Sequence, residues 1–180
     1  MSMEHSEGLV ISRTKNWIEK IVMGLNFCPF AAKPFKEGGI HYVVCKEANL
    51  KLALEQLMRS ALFLDENNKI ETLLIIFENS FLDFIKYLEL LDLSEQLFEK
   101  EGYDGIYQIA SFHPRYIFAG SNNEDPANYT NRSPYPMLHL LREESVAVAI
   151  EKHSNADEIP EKNIKKATDL GIDFFKDLEF

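Results

Sequence analysis

The run Thr72-Leu73-Leu74-Ile75-Ile76-Phe77 constrains this chain most. Its residues are apolar or β-branched without alternation, and a strand with no polar face must be covered on both sides. Before it, Leu50, Ala53, Leu54, Leu57, Met58, Ala61 and Leu62 recur at helical spacing. After it, Phe81, Phe84, Ile85, Leu88 and Leu91 open a second helical stripe, with a break near Asp92-Leu93-Ser94. Two further strands read at Ile40–Cys45, β-branched behind Gly38-Gly39, and at residues 105–110. Strands that alternate with helices imply crossover connections and a parallel sheet.

The expectation is therefore an α/β fold in a single domain over residues 1–180, with a small, mostly parallel sheet of three or four strands flanked by helices. Its parts are an N-terminal helix at 8–26, a βαβαβ core at 40–110, a long ordered loop at 111–136 ahead of the penultimate helix, and C-terminal helices over 134–180. The helix at 134–151 carries Ser133 as N-cap and Pro134 at its first position. Another begins near Pro160 and is interrupted at Gly171. Residues 115–119 are the candidate fourth strand.

Composition excludes several classes. A formal charge of −10 over 180 residues argues against a sequence-independent nucleic-acid binder, whose affinity comes from neutralising phosphates with Lys and Arg. No apolar run approaches the roughly 20 residues that span a bilayer, so no membrane partner is expected. The opening residues Met1-Ser2-Met3-Glu4-His5-Ser6-Glu7 lack a leader pattern, and Cys28 and Cys45 make no disulfide framework. The cytoplasm is the expected compartment.

Residues 111–136 break the pattern. Connections beyond about 12–15 residues without structure are uncommon in compact domains and are usually functional or disordered. Phe112, Tyr116, Phe118, Tyr129 and Tyr135 favour an ordered loop, since aromatic bodies of that size are normally buried. From Ser111 to Arg142 the cations are Arg115, Arg132 and Arg142 and the anions Glu124 and Asp125, a net +1 in a chain of −10. Three of the five arginines fall there, with His113 and His139, and none of the fourteen lysines. Arginine presents a planar fork of donors matched to carboxylate or phosphate. Either the stretch holds an anion, or its arginines pair with acidic residues elsewhere and pin the loop.

Ligands in open α/β sheets collect beyond the carboxyl ends of the strands, which would place Glu78 and His113 at one edge. On the expected helix, Tyr135, His139 and Arg142 would share a face, and its N-terminus would attract an anion. Cys28, ahead of Pro29, is either a thiol activated by a helix dipole or a small buried filler. Cys28, His113 and His139 match no spaced metal motif. No GxGxxG or GxxxxGK[ST] pattern occurs.

Three stretches resemble a known family: Gly24-Leu25-Asn26-Phe27-Cys28-Pro29-Phe30-Ala31; Gln108-Ile109-Ala110-Ser111-Phe112-His113-Pro114 with Phe118-Ala119-Gly120; and Asn128-Tyr129-Thr130-Asn131-Arg132-Ser133-Pro134-Tyr135-Pro136-Met137-Leu138-His139-Leu140-Leu141-Arg142-Glu143. The chain resembles, over nearly its whole length, the bacterial proteins catalogued as domain of unknown function 1415. That resemblance implies an independent protein of this length and no particular activity, cofactor or catalytic residue.

The functional expectation is an enzyme acting on a small anionic metabolite, carboxylate or phosphate. Arg132 and Arg142 clamp the anion with Arg115 as a weaker third, and Ser133, Tyr135 and Glu78 complete the binding surface. His113 is the general acid or base, His139 orients substrate or shares the proton, and Cys28 is the candidate nucleophile. The alternatives are a non-catalytic binding or regulatory protein using the same residues, and a metal-dependent enzyme built on His113, His139 and Cys28.

Overall fold

A computed structural model describes residues 3–153 and 155–178. Four strands, β1 (Ile40–Cys45), β2 (Thr72–Phe77), β3 (Tyr107–Phe112) and β4 (Met137–Arg142), form one sheet in the order β1-β2-β4-β3. β1 and β2 pair in parallel, whereas β2–β4 and β3–β4 are antiparallel. The α/β class holds, but the sheet is mixed and mostly antiparallel rather than mostly parallel. β1, β2 and β3 still run in one direction. The departure is β4, which inserts between β2 and β3 in the opposite sense.

β4 is where the sequence reading fails. The helix expected over 134–151 divides into β4 and a shorter helix, α5 (Glu143–Glu151). Met, Leu and Arg are good helix formers, so residues 137–142 suit a helix locally. A central strand buried on both faces has no alternation to betray it, and pairing on both edges decides the matter. Met137, Leu138 and Leu140 are fully buried. Residues 115–119 form no strand, and β3 begins two residues later than expected. The long loop, residues 113–136, therefore leads into β4 and not into the penultimate helix.

Each face of the sheet has its own helical layer. Helices α3 (Leu50–Glu66) and α4 (Phe84–Lys100) bring Leu57, Leu64, Leu90 and Phe98 onto Leu73, Ile75, Phe77, Leu138 and Leu140. Asn49 caps α3 by accepting from the Leu52 N–H at 3.0 Å. Asp83 caps α4 by accepting from the Ile85 and Lys86 N–H groups. The other face carries α1 (Met3–Trp17), its π-helical continuation Ile18–Met23, and α6 (Ile159–Lys176). Val10, Trp17, Ile18, Ile21, Ala167 and Phe175 pack there against Leu74, Ile76 and Met137. Burial of each large apolar side chain contributes about 1.5–3 kcal/mol, and β2 is buried along its whole length. A short helix, α2 (Ala32–Glu37), precedes β1. α6 breaks at Gly171, at φ 76° and ψ 162°, and this turn lets Phe175 stack on Tyr129 at 4.5 Å. Among the described residues no helix is long and apolar enough to cross a membrane.

Candidate functional site

The carboxyl ends of β1, β2 and β3 and the start of β4 share one edge, and residues 113–136 fold across it. The loop is built from internal polar struts. Asp125 opens a 3-10 turn at Pro126–Thr130 by accepting from Ala127 N–H, and Ser121 Oγ donates to it at 2.7 Å. These bonds hold its carboxyl below the usual range. Asn128 is fully buried; its Oδ1 accepts from Phe118 N–H at 3.0 Å and its Nδ2 donates to Asn122 O at 2.7 Å. Trp17 fastens the loop to α1, donating from Nε1 to Arg132 O at 2.9 Å and meeting Phe112 edge-on at 5.1 Å. Asn128, Trp17 and Tyr87, whose hydroxyl donates to Met137 O at 2.7 Å and accepts from Phe112 N–H at 3.1 Å, escape sequence reasoning, because nothing local separates a strut from an ordinary polar or core residue.

The three arginines separate. Arg132 lies half-buried over the Tyr129 ring, 4.6 Å from its centroid. It donates from Nε to Tyr116 O at 3.1 Å and from Nη2 to Asn123 O and Oδ1 at 2.9 and 3.0 Å. Arg115 is exposed and donates from Nη2 to Leu82 O. Arg142 sits at the opposite edge, on the face of α3 and α4, and donates to the carbonyls of Leu64, Asn67 and Ile70 and to the Tyr107 hydroxyl. It pins the turn between α3 and β2 and takes no part in an anion clamp with Arg132. Among the described residues none of the three lies within ion-pair distance of a carboxylate.

His113 is fully buried between Phe84 and Tyr87. Its Nδ1 accepts from Arg115 N–H at 2.9 Å, so the proton is on Nε2, which donates to Phe81 O at 2.9 Å. Burial lowers its pKa. With both nitrogens engaged, it fastens loops rather than facing a ligand. His139 lies on the other face of the sheet. Thr72 Oγ1 donates its one proton to Leu140 O at 2.6 Å, so His139 Nε2–H donates to Thr72 Oγ1 at 2.5 Å and Nδ1 keeps its lone pair. Burial lowers its pKa to about 4, which keeps the ring neutral.

Since residues 137–142 are a strand, His139 and Arg142 project to opposite faces. The shared helical face with Tyr135 does not exist, nor does the helix N-terminus at Ser133. Ser133 instead closes a turn by donating from Oγ to Tyr135 O at 2.6 Å. Arg13 Nη1 approaches the Tyr135 hydroxyl at 3.5 Å. The Cys28 thiol is partly covered, and burial raises its pKa despite the Phe30 and Ala31 amides. Glu78 follows β2 at the predicted edge; Oε1 accepts from Ser6 Oγ at 2.8 Å, while Oε2 is buried with no partner among the described residues.

What does come together is Arg132, Tyr129, Ser133 and Pro114, which with Ile21 and Phe175 line a cavity of about 100 Å³. A water molecule occupies about 30 Å³ of liquid, so the space suits a small group. The described residues contain no His, Cys, Asp and Glu grouping arranged for a metal, and His113, His139 and Cys28 do not assemble into one.

A family model described as a protein of unknown function (DUF1415) matches residues 9–177. No curated protein and no solved structure matches the chain.

Proposed function

The chain belongs to the DUF1415 family, and we propose that it binds a small anion, a carboxylate or phosphate, in the cavity lined by Arg132. The observation that carries this reading is the state of that guanidinium. It is half-buried, bonded only to neutral oxygens, and lines a cavity with Nη1 free of any partner among the described residues. Among the described residues its charge has no carboxylate within ion-pair distance, in a chain that is acidic overall. A partly desolvated arginine without a counterion attracts an anion far more strongly than a solvated one. Arg13, near Tyr135, adds positive potential at the same edge. The unpaired thiols Cys28 and Cys45 suit a reducing compartment, so the cytoplasm belongs to this proposal.

Trp17 is the chain's one tryptophan and is bonded to the Arg132 carbonyl, so its fluorescence reports on the cavity. Titration with inorganic phosphate and with small mono- and dicarboxylates should give a saturable change for at least one of them. Arg132→Lys keeps the charge but loses the fork, and should weaken that binding roughly tenfold. A flat response to every anion, from a protein with native circular dichroism, rejects the reading.

A catalytic form of this reading has one observation in its favour, the buried Oε2 of Glu78, which has no partner among the described residues. A buried carboxylate oxygen without a partner is uncommon in a native protein, and acid–base chemistry is one reason to keep it. If phosphate monoesters or carboxylic esters are turned over, Glu78→Gln should abolish turnover and spare phosphate binding. Equal turnover by the variant removes the catalytic form.

A further inference from the structure

Among the described residues no strand pairs with the outer edge of β3, which lies beside an open groove of about 610 Å³. Which backbone groups face that groove follows from the bonds on either side of the strand. Ile106 O accepts from Glu143 N–H, and the Tyr87 hydroxyl bridges Phe112 N–H to Met137 O, so the even-numbered residues of β3 face β4. The odd-numbered residues face outward. At the upper end that outward edge is already taken, since Asn131 Nδ2 donates to Ser111 O and Asn131 O accepts from His113 N–H. At the lower end the N–H and C=O of Ile109 and the C=O of Tyr107 have no such cover among the described residues.

The groove along this free stretch is lined by Asp92, Glu95 and Glu99 of α4, by Asp104 and by Glu143. None of these carboxylates lies within ion-pair distance of a Lys or Arg among the described residues. Unpaired sheet edges accept an added strand through main-chain bonds, and flanking charge selects the strand. A second copy of this chain would bring its own carboxylates against these. A cationic strand would neutralise them.

We propose that the β3 edge is a docking site for an extended, Lys- or Arg-rich peptide segment of another protein. The segment adds as a fifth strand, bonding to Ile109 and Tyr107, with its basic side chains among the carboxylates of α4, Asp104 and Glu143. The site is distinct from the Arg132 cavity and has the opposite charge preference.

The test uses the full chain and three fluorescein-labelled octapeptides: alternating Arg-Val, alternating Glu-Val, and Arg-Val with alternate backbone nitrogens methylated. By anisotropy the Arg-Val peptide should bind at one saturable site, the Glu-Val peptide should not, and methylation should weaken binding roughly tenfold by removing main-chain donors. Glu95→Lys with Glu99→Lys, both at exposed helix positions, should weaken the Arg-Val peptide by a similar factor. Equal binding of methylated and unmethylated peptides overturns strand addition. Failure of the Arg-Val peptide to outbind Glu-Val overturns the site, and the carboxylates then serve only to keep the edge from self-pairing.

Discussion

His113 donates from Nε2 to the carbonyl of Phe81, a residue held at φ +57°. A bulky side chain in the left-handed region is strained by about 1–3 kcal/mol and persists only where its surroundings fix it. The fixing groups are visible. Phe81 packs edge-on to Phe77 at 4.9 Å, His113 holds its carbonyl, and Arg115 holds the next carbonyl, Leu82 O. The segment after β2 is thereby latched to the segment after β3, although β4 lies between the two strands.

His113→Ala should therefore behave as a core mutation. It removes both bonds of a buried ring and its contacts with Phe84 and Tyr87, and frees the strained carbonyl. A loss of about 2–4 kcal/mol is expected from urea unfolding. A change below about 0.5 kcal/mol, the range of ordinary surface positions, would contradict the latch.

Acid should weaken the fold through two histidines, the fully buried His113 and the partly buried His139. Burial lowers the pKa of His113 and takes that of His139 to about 4, against about 6.5 in the unfolded chain. Above 6.5 both states are neutral at these rings and the contribution to stability is constant. Between 6.5 and about 4 the unfolded chain binds protons that the folded chain does not, so stability falls with falling pH. Urea midpoints measured from pH 8 to 4.5 should drop for the native chain. The curve for His139→Gln should be flatter, by on the order of 2 kcal/mol at the acid end. Parallel curves would show that His139 titrates normally.

The thiol of Cys28 should be sluggish. Burial outweighs the two amides that approach it and moves its pKa up, away from the thiolate. Iodoacetamide at pH 7 should alkylate it more slowly than a model thiol, and the difference should vanish in urea. Faster reaction than the model thiol would restore Cys28 as a nucleophile.

Gly171 and Gly8 should respond to alanine with opposite signs. Neither has an atom within 4 Å of the position a Cβ would take, so sterics between residues do not intervene. At Gly171, with φ 76° and ψ 162°, only glycine is comfortable, and Ala should cost about 1–3 kcal/mol. Gly8 lies inside α1, where Ala should add up to about 1 kcal/mol. Urea unfolding of the two variants checks both signs.

These expectations show what was legible in the sequence. The covered strand at Thr72–Phe77 and its flanking helices were readable because burial on two faces leaves an unbroken apolar run, and Gly171 was readable as a break. Most of residues 111–136 was readable as a loop because it lacks any period, although Ser111 and Phe112 complete β3. The pairing of β4 was not, because residues 137–142 satisfy helix and buried strand equally well and the choice is made by β2 and β3, distant in sequence. That one error moved three site residues. A helical period puts Tyr135, His139 and Arg142 together, while a period of two sends His139 and Arg142 to opposite faces.

Arg132 and Arg142, ten positions apart and chemically identical, should consequently fail in different ways. Arg142 makes four hydrogen bonds, three of them to carbonyls of the turn between α3 and β2. Truncating it leaves those oxygens without their donor in a half-buried place, so Arg142→Ala should lower stability by about 2–4 kcal/mol. It should leave the anion response of Trp17 unchanged at temperatures where the protein is folded. Arg132→Lys should do the reverse, with a weakened anion response and a smaller change in the urea midpoint, since Trp17 and Asn128 hold the loop independently. The two readouts, fluorescence titration and urea unfolding, are measured on the same samples. If Arg142→Ala abolished the anion response while folded, the anion would have to lie near the opposite edge of the sheet, and the cavity at Arg132 would lose its role.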